Sequence, residues 1–180
     1  MKKKVAIIGT RGIPACYGGF ESLAEQLVRH LWDTFEFTVY CQKSAFADRP
    51  AKIGKVNLKY VNFNANGMQS IFYDMWSICD ALRYADTLLI LGVSGCTLLP
   101  FLRLFGCRKR IICNIDGIEW RRAKWSKLAR IYLRFAERCA VRNANVVIAD
   151  NQVIVDYVKE RYHRDCELIE YGADTKSLEK

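Results

Sequence analysis

Residues 5 to 25 read VAIIGTRGIPACYGGFESLAE: a short apolar run, a loop punctuated by glycine, and the start of an amphipathic helix. Val5, Ala6, Ile7 and Ile8 continue without a polar break to Gly9, the pattern of a strand buried on both faces. From Phe20 onward, Leu23, Ala24, Leu27, Val28 and Leu31 recur at the spacing of a helix with one face on a sheet. Between them lie Gly9, Gly12, Gly18 and Gly19, with Pro14 stiffening the middle. Glycine lets backbone N–H groups approach a ligand closely, and a helix starting just after Gly19 turns its free amides and positive dipole end toward that space. An anion or a sugar hydroxyl suits such a place. The plain alternative is a tight strand-to-helix turn, although the loop is longer than such a turn needs.

Spacing excludes two nucleotide motifs. The pattern G-T-R-G-I-P-A-C-Y-G-G is not G-x-G-x-x-G, and Tyr40, Cys41 and Gln42 end the next strand, where a dinucleotide site carries an acid. No lysine followed by Ser or Thr comes after the glycines, so the loop is not an ATPase phosphate loop. No cofactor is expected.

A chain of 180 residues is read as one domain with room for a full core, and its 51% hydrophobic content is ordinary for a globular protein. Met1-Lys2-Lys3-Lys4 leads straight into a strand, and the longest apolar run, Thr87 to Val93, has the length of a strand rather than a bilayer span. A cytoplasmic location is therefore expected. Eight cysteines (Cys16, Cys41, Cys79, Cys96, Cys107, Cys113, Cys139 and Cys166) include no C-x-x-C pair and read as buried free thiols. With His30 and His163 as the only histidines, no metal site is expected. The net charge of +9 suits an anionic partner.

Beyond the first helix, strands are expected at 37–41, 56–61, 87–91, 110–114, 146–149 and 167–169. Helices are expected at 69–83, 97–105, 124–142 and 153–162, and the polar stretch 42–55 as an exposed connection. Strands alternating with helices imply right-handed crossovers and a Rossmann-like parallel sheet with helices on both faces, an α/β fold. Ligands bind such sheets at the carboxyl ends of the strands, which selects the loops 10–19, 92–96, 115–122 and 150–152. Within these, NIDGIEWRRAKW (114–125) puts two carboxylates, two tryptophans and three cations just past a buried strand. Carboxylates beside tryptophan grip sugars, because the acid accepts hydroxyl protons while the indole covers the C–H face. Alternatively Asp116 and Glu119 cap a helix and pair with Arg121 or Arg122. The residues leave both readings open.

The motifs GTRGIPACYGGFE and NIDGIEWRRAKW, in this order and separation, resemble the amino-terminal domain of bacterial family-4-type glycosyltransferases, in particular rhamnosyltransferases of capsule and cell-wall polysaccharide assembly. The resemblance covers essentially all of residues 1–180. It implies the N-terminal, acceptor-side half of a GT-B fold, with a C-terminal donor-binding domain lying outside these residues beyond the segment Glu170-Tyr171-Gly172-Ala173-Asp174. It further implies retaining transfer from a nucleotide-sugar to a polyprenyl-pyrophosphate-linked saccharide. On that resemblance Gly18 and Gly19 approach the donor diphosphate, Arg11 reaches the acceptor or a phosphate, and Arg121 and Lys124 are further substrate contacts. Asp116, which stands where many members carry a histidine, and Glu119 are the expected catalytic residues, Asp116 on the cleft floor and Glu119 toward the acceptor.

The helix expected from Lys124 places Leu128, Tyr132, Phe135 and Cys139 on one face and Lys127, Arg130, Arg134 and Arg138 along an adjacent stripe. The stripe is either a solvated surface or, through Lys127, Arg130 and Arg134, a contact with anionic lipid on the inner face of the plasma membrane. Met68 to Trp76 could sit in the same interface, although its spacing equally suits a helix whose inner face is Phe72, Met75, Cys79 and Leu82. A nucleic-acid-binding domain is the rival class, but the chain carries no helix-turn-helix pattern and no RNA-binding aromatic signature, and a domain that binds a sugar without turnover is a further alternative.

Overall fold

The computed structural model of the chain describes residues 1–16, 18–115, 117–123 and 125–170. Asp116, Lys124 and the segment 171–174, singled out above, lie outside the described residues. The strands are β1 (Lys3–Ile8), β2 (Phe35–Gln42), β3 (Lys52–Ile53), β4 (Val56–Val61), β5 (Thr87–Leu91), β6 (Arg110–Ile115), β7 (Val146–Ala149) and β8 (Glu167–Leu168). The helices are α1 (Gly19–Leu31), α2 (Gln69–Ala81), α3 (Leu99–Leu104), α4 (Lys127–Asn143) and α5 (Gln152–Tyr162).

The strands form one sheet in the order β3-β4-β2-β1-β5-β6-β7-β8, parallel except that β3 pairs antiparallel with β4 at the edge. That two-residue strand lies inside the expected 42–55 connection and is too short to leave a periodic signal. From β1 the chain builds outward in one direction through β2 and β4, then returns to the other side of β1 at β5 and builds the opposite way. The β1/β5 junction is the topological switch point of the sheet.

Successive residues of β1 point to opposite layers, as strand geometry requires. Ala6 and Ile8 join Leu88 and Ile90 of β5 in a core shared with α2, α3, α4 and α5, whereas Val5 and Ile7 join Phe37 and Val39 in a core under α1. Helices thus lie on both faces, as expected, but four on one and one on the other. On the α1 side Ile112, Val146 and Ile148 are only half-buried.

Helix ends follow their caps. Ser126 accepts a bond from the Ala129 N–H at the start of α4, and Asn151 accepts one from Ile154 N–H at the start of α5. These caps place α4 three residues later than the expected start. His163, one residue past the expected end of the last helix, closes α5 in the left-handed conformation. Two helical faces differ from expectation. In α2 the buried residues are Ser70, Tyr73, Asp74, Ser77, Ile78 and Ala81, while Phe72, Trp76 and Cys79 face out. In α4 the core receives Leu133, Ala136 and Ala140, and Leu128 (80% exposed), Ile131 (67%) and Phe135 (57%) are turned to solvent.

Candidate functional site

A cleft of about 910 Å³ opens at the carboxyl ends of β1, β5 and β6, lined by the glycine loop, the loop 92–94, the loop after β6 and the flanking ends of α2 and α4. The strand ends must come close for it to form. Gly9, at φ 95°, has no room for a side chain, since a Cβ would lie 2.0 Å from the Leu91 carbonyl oxygen of β5.

The glycine loop is fixed from beneath. The buried Tyr73 hydroxyl donates to the Thr10 carbonyl at 2.9 Å, and Gln42 N–H donates to the Arg11 carbonyl at 2.9 Å. Gly12 lies against Cys41, Ile13 is buried, and the Ile13–Pro14 bond is cis. Carboxylates of α1 reach back to hold the rest: Arg11 N–H donates to Glu21 Oε1 at 2.7 Å and Ala15 N–H to Glu25 Oε2 at 2.8 Å. Gly18 and Gly19 are exposed on the cleft, where no side chain caps α1. A Cβ on Gly18 would come 2.8 Å from Glu21 Oε2. Glu21, only 6% exposed, therefore brings a carboxylate to the helix start, and the place suits a hydroxyl more than a second anion. Sequence reasoning passed over Glu21 although it ends the first motif. Its signal was an acid in the first turn of a helix that has no capping side chain.

The wall from β6 to α4 carries Glu119, Arg122 and Trp125, three residues apart, all lining the cleft. Trp125 Nε1–H donates to Glu119 Oε1 at 3.0 Å, and Arg122 Nε pairs with Oε2 at 2.9 Å. Glu119 thus does both things left open by its position: it pairs with Arg122 and it faces the cleft. Gly117 lines the cleft beside it.

The floor contains a second unforeseen carboxyl. Asp74 of α2 is 2% exposed and accepts from Ser94 Oγ at 2.8 Å, and Ser94 lines the cleft. Burial pushes the Asp74 carboxyl up to about 7, against the opposing effect of the Ser94 hydroxyl and the Gly95 N–H. Tyr132 of α4 donates its hydroxyl to the Ser94 carbonyl at 2.6 Å, so α2 and α4 grip the β5 loop from both sides. Gly95 has to be glycine, because a Cβ there would lie 2.5 Å from that of Asp74.

Other expected site residues lie off this surface. Arg11 is half-buried in the fixed loop. Arg121, in the 3-10 turn Glu119–Arg121, projects over the rings of Trp120 and Tyr157 rather than into the cleft. Lys127 and Arg134 are exposed on α4, whereas Arg130 is half-buried with Nη2 3.5 Å from the Ala123 carbonyl. All eight cysteines are free; Cys41, Cys96, Cys113 and Cys139 are buried, but Cys16 and Cys79 are exposed and Cys107 and Cys166 half-buried. No His/Cys/Asp/Glu group among the described residues could hold a metal ion, and no described helix is long and apolar enough to cross a membrane.

The family model described as Domain of unknown function (DUF1972) matches residues 2–174, and the chain belongs to that family. No curated protein sequence matches it. Among solved structures it is similar to a sucrose-phosphate synthase from Thermosynechococcus elongatus, with a TM-score of 0.74 and 14% identity over 97% of this chain and 49% of that one. A second sucrose-phosphate synthase structure from the same organism aligns with a TM-score of 0.61 and 12% identity, covering 98% of this chain and 93% of that one. The chain spans about half the length of the first, and at these identities the likeness is one of fold.

Proposed function

We propose that this member of the DUF1972 family supplies the acceptor-side half of a glycosyltransferase active site, completed across the cleft by a second Rossmann-like domain that holds the nucleotide-sugar. The observation that carries the reading is the meeting, in one cleft at the switch point, of the uncapped Gly18–Gly19 helix start with the Glu119–Arg122–Trp125 wall. Glu21, Glu119 and Ser94 offer acceptors for sugar hydroxyls, Trp125 an indole, and Arg122 a cation to the forming diphosphate. Retaining transfer through an oxocarbenium-like transition state asks mainly for electrostatic support of the leaving group, most of it from the donor side. A rhamnosyl donor and a lipid-pyrophosphoryl saccharide acceptor are the substrates we assign, on the likeness of the two sequence motifs to rhamnosyltransferases.

Radiolabelled transfer tests the assignment. In a two-domain polypeptide containing this chain, Glu119→Gln should lower turnover by about a hundredfold, the scale of losing one positioned electrostatic group, with the fold retained. Unaltered turnover with a lowered melting temperature would reduce Glu119 to a partner of Arg122 and Trp125.

We also propose that α4 rests on an anionic membrane surface. Leu128, Ile131 and Phe135 are exposed beside Lys127, Arg134 and Arg138, an apolar strip with cations along it.

A further inference from the structure

The 3-10 turn that faces Glu119 to the cleft faces Trp120 the other way, toward α4 and α5. Three guanidiniums gather on that ring. The Cζ atoms of Arg121, Arg134 and Arg161 lie 5.3, 5.4 and 5.6 Å from its centre, and they arrive from three different elements. No two of them can be more than about 11 Å apart, twice the longest of those distances. Arg121 and Arg161 also lie 5.7 and 5.8 Å over the ring of Tyr157.

None of the ion pairs between described residues takes in these three cations. Arg161 is compensated in part, since its Nε donates to the Tyr162 hydroxyl at 3.3 Å and the charge of Glu137 acts on it. The acid built into the neighbourhood is Glu137, and it is buried and occupied. Its Oε1 accepts from the Tyr157 hydroxyl at 2.6 Å and from the Tyr162 hydroxyl at 2.5 Å. Trp120 Nε1–H in turn donates to the Tyr157 hydroxyl at 3.3 Å, which locks the ring in place. An indole attracts a cation to each face, but a third guanidinium adds repulsion that only an anion or bulk water relieves. Guanidinium forks held within this distance of one another at the rim of one ring match the oxygens of a phosphoryl group beside the ring, which would relieve their mutual repulsion.

We propose that Arg121, Arg134 and Arg161, spread around Trp120, form a binding site for a phosphomonoester or diphosphate group, outside the cleft. The site stands whether or not the cleft transfers sugar. Its ligand is either a free phosphate compound or the headgroup of a lipid.

The test is titration of the whole chain with sodium pyrophosphate at low salt, reading tryptophan fluorescence, with Trp120→Phe assigning the signal. Pyrophosphate should perturb Trp120, and Arg134→Gln or Arg161→Gln should each weaken binding by about tenfold or more, as expected for loss of a charge-assisted fork. Arg121→Lys, which keeps the charge and loses the fork, should weaken it less. Arg142→Gln, at the far end of α4, should leave it unchanged. Circular dichroism of each variant confirms the fold, and Arg→Lys at 134 and 161 replaces any variant that unfolds. In parallel, flotation on vesicles containing phosphatidic acid is compared with phosphatidylglycerol. Response to pyrophosphate assigns a free ligand; response to phosphatidic acid alone, lost in the same variants, assigns a headgroup. An equal loss in Arg142→Gln, or no response to either probe, overturns the site.

Discussion

At the scale of single residues, the carboxyl of Asp74 makes the sharpest prediction. The unfolded chain ionises it near its ordinary value of 3.8, whereas the folded protein keeps its proton until about pH 7. Between those values the native state binds more protons than the unfolded one, so this residue's contribution favours folding at pH 4 and is lost as the pH rises to 7. Asp74→Asn, which can still accept from Ser94, should therefore be more stable than the wild type at pH 8, by on the order of 4 kcal/mol at most. The difference should vanish toward pH 4 in urea melts; a constant difference would mean that the aspartate ionises normally. Glycine is equally decisive at one point. Gly9→Ala must clear a 2.0 Å contact with the Leu91 carbonyl at a positive φ, so it should cost several kcal/mol (~3 or more) and populate unfolded chain at ambient temperature, read by circular dichroism. The sequence made Gly9 legible as the end of β1, because an apolar run stopped there. It could not show Asp74, whose surroundings come from Ser94 and Gly95 some twenty positions away.

At the scale of elements, strands were read more truly than helical faces. Val5–Ile8 and Thr87–Leu91 announce themselves by composition alone, since a strand buried on both sides needs no phase. A helix needs one, and α2 inverts the usual rule. Its inner face takes Ser70, Asp74 and Ser77 because each finds a polar partner there: Ser70 Oγ donates to the Gly67 carbonyl, Ser77 Oγ to the Tyr73 carbonyl of the same helix, and Asp74 accepts from the Ser94 hydroxyl and the Gly95 N–H. Met68, Phe72 and Trp76 are consequently left outside. In α4 the small residues Ala136 and Ala140 allow close approach to the sheet, and the larger Leu128, Ile131 and Phe135 point away. If that outer strip meets lipid, Ile131→Ser with Phe135→Ser should reduce flotation on anionic vesicles severalfold while the melting temperature stays within a few degrees, because exposed side chains carry little of the stability. Unchanged flotation would return the strip to solvent.

At the scale of the whole molecule, the cleft is bounded by the glycine loop, the loop 92–94, the turn after β6 and the ends of α2 and α4, and on the proposed reading the donor site belongs to a second domain. The 180 residues taken alone should fold yet bind nucleotide-sugars weakly or not at all by calorimetry, and micromolar affinity would move the donor site onto this chain. The fold class was legible from residues 5–25 and the alternation after them; the position of the cleft followed from the glycine loops and the rule of strand ends. What escaped was the two-faced turn at Glu119–Arg121, where neighbours in sequence serve opposite sides of the wall. The switch point has one more consequence, for synthesis. β1 is central in the sheet but first in the chain, and Val5 finds its partner Thr87 only after eighty-odd residues have been made. While the ribosome adds those residues, β1, β2 and β4 can pair on one side, but the other edge of β1, whose second half is buried, stays open to a neighbouring nascent chain. The order in which the polypeptide emerges thus sets the interval during which this protein is most prone to aggregate, and the arrival of β5 closes it.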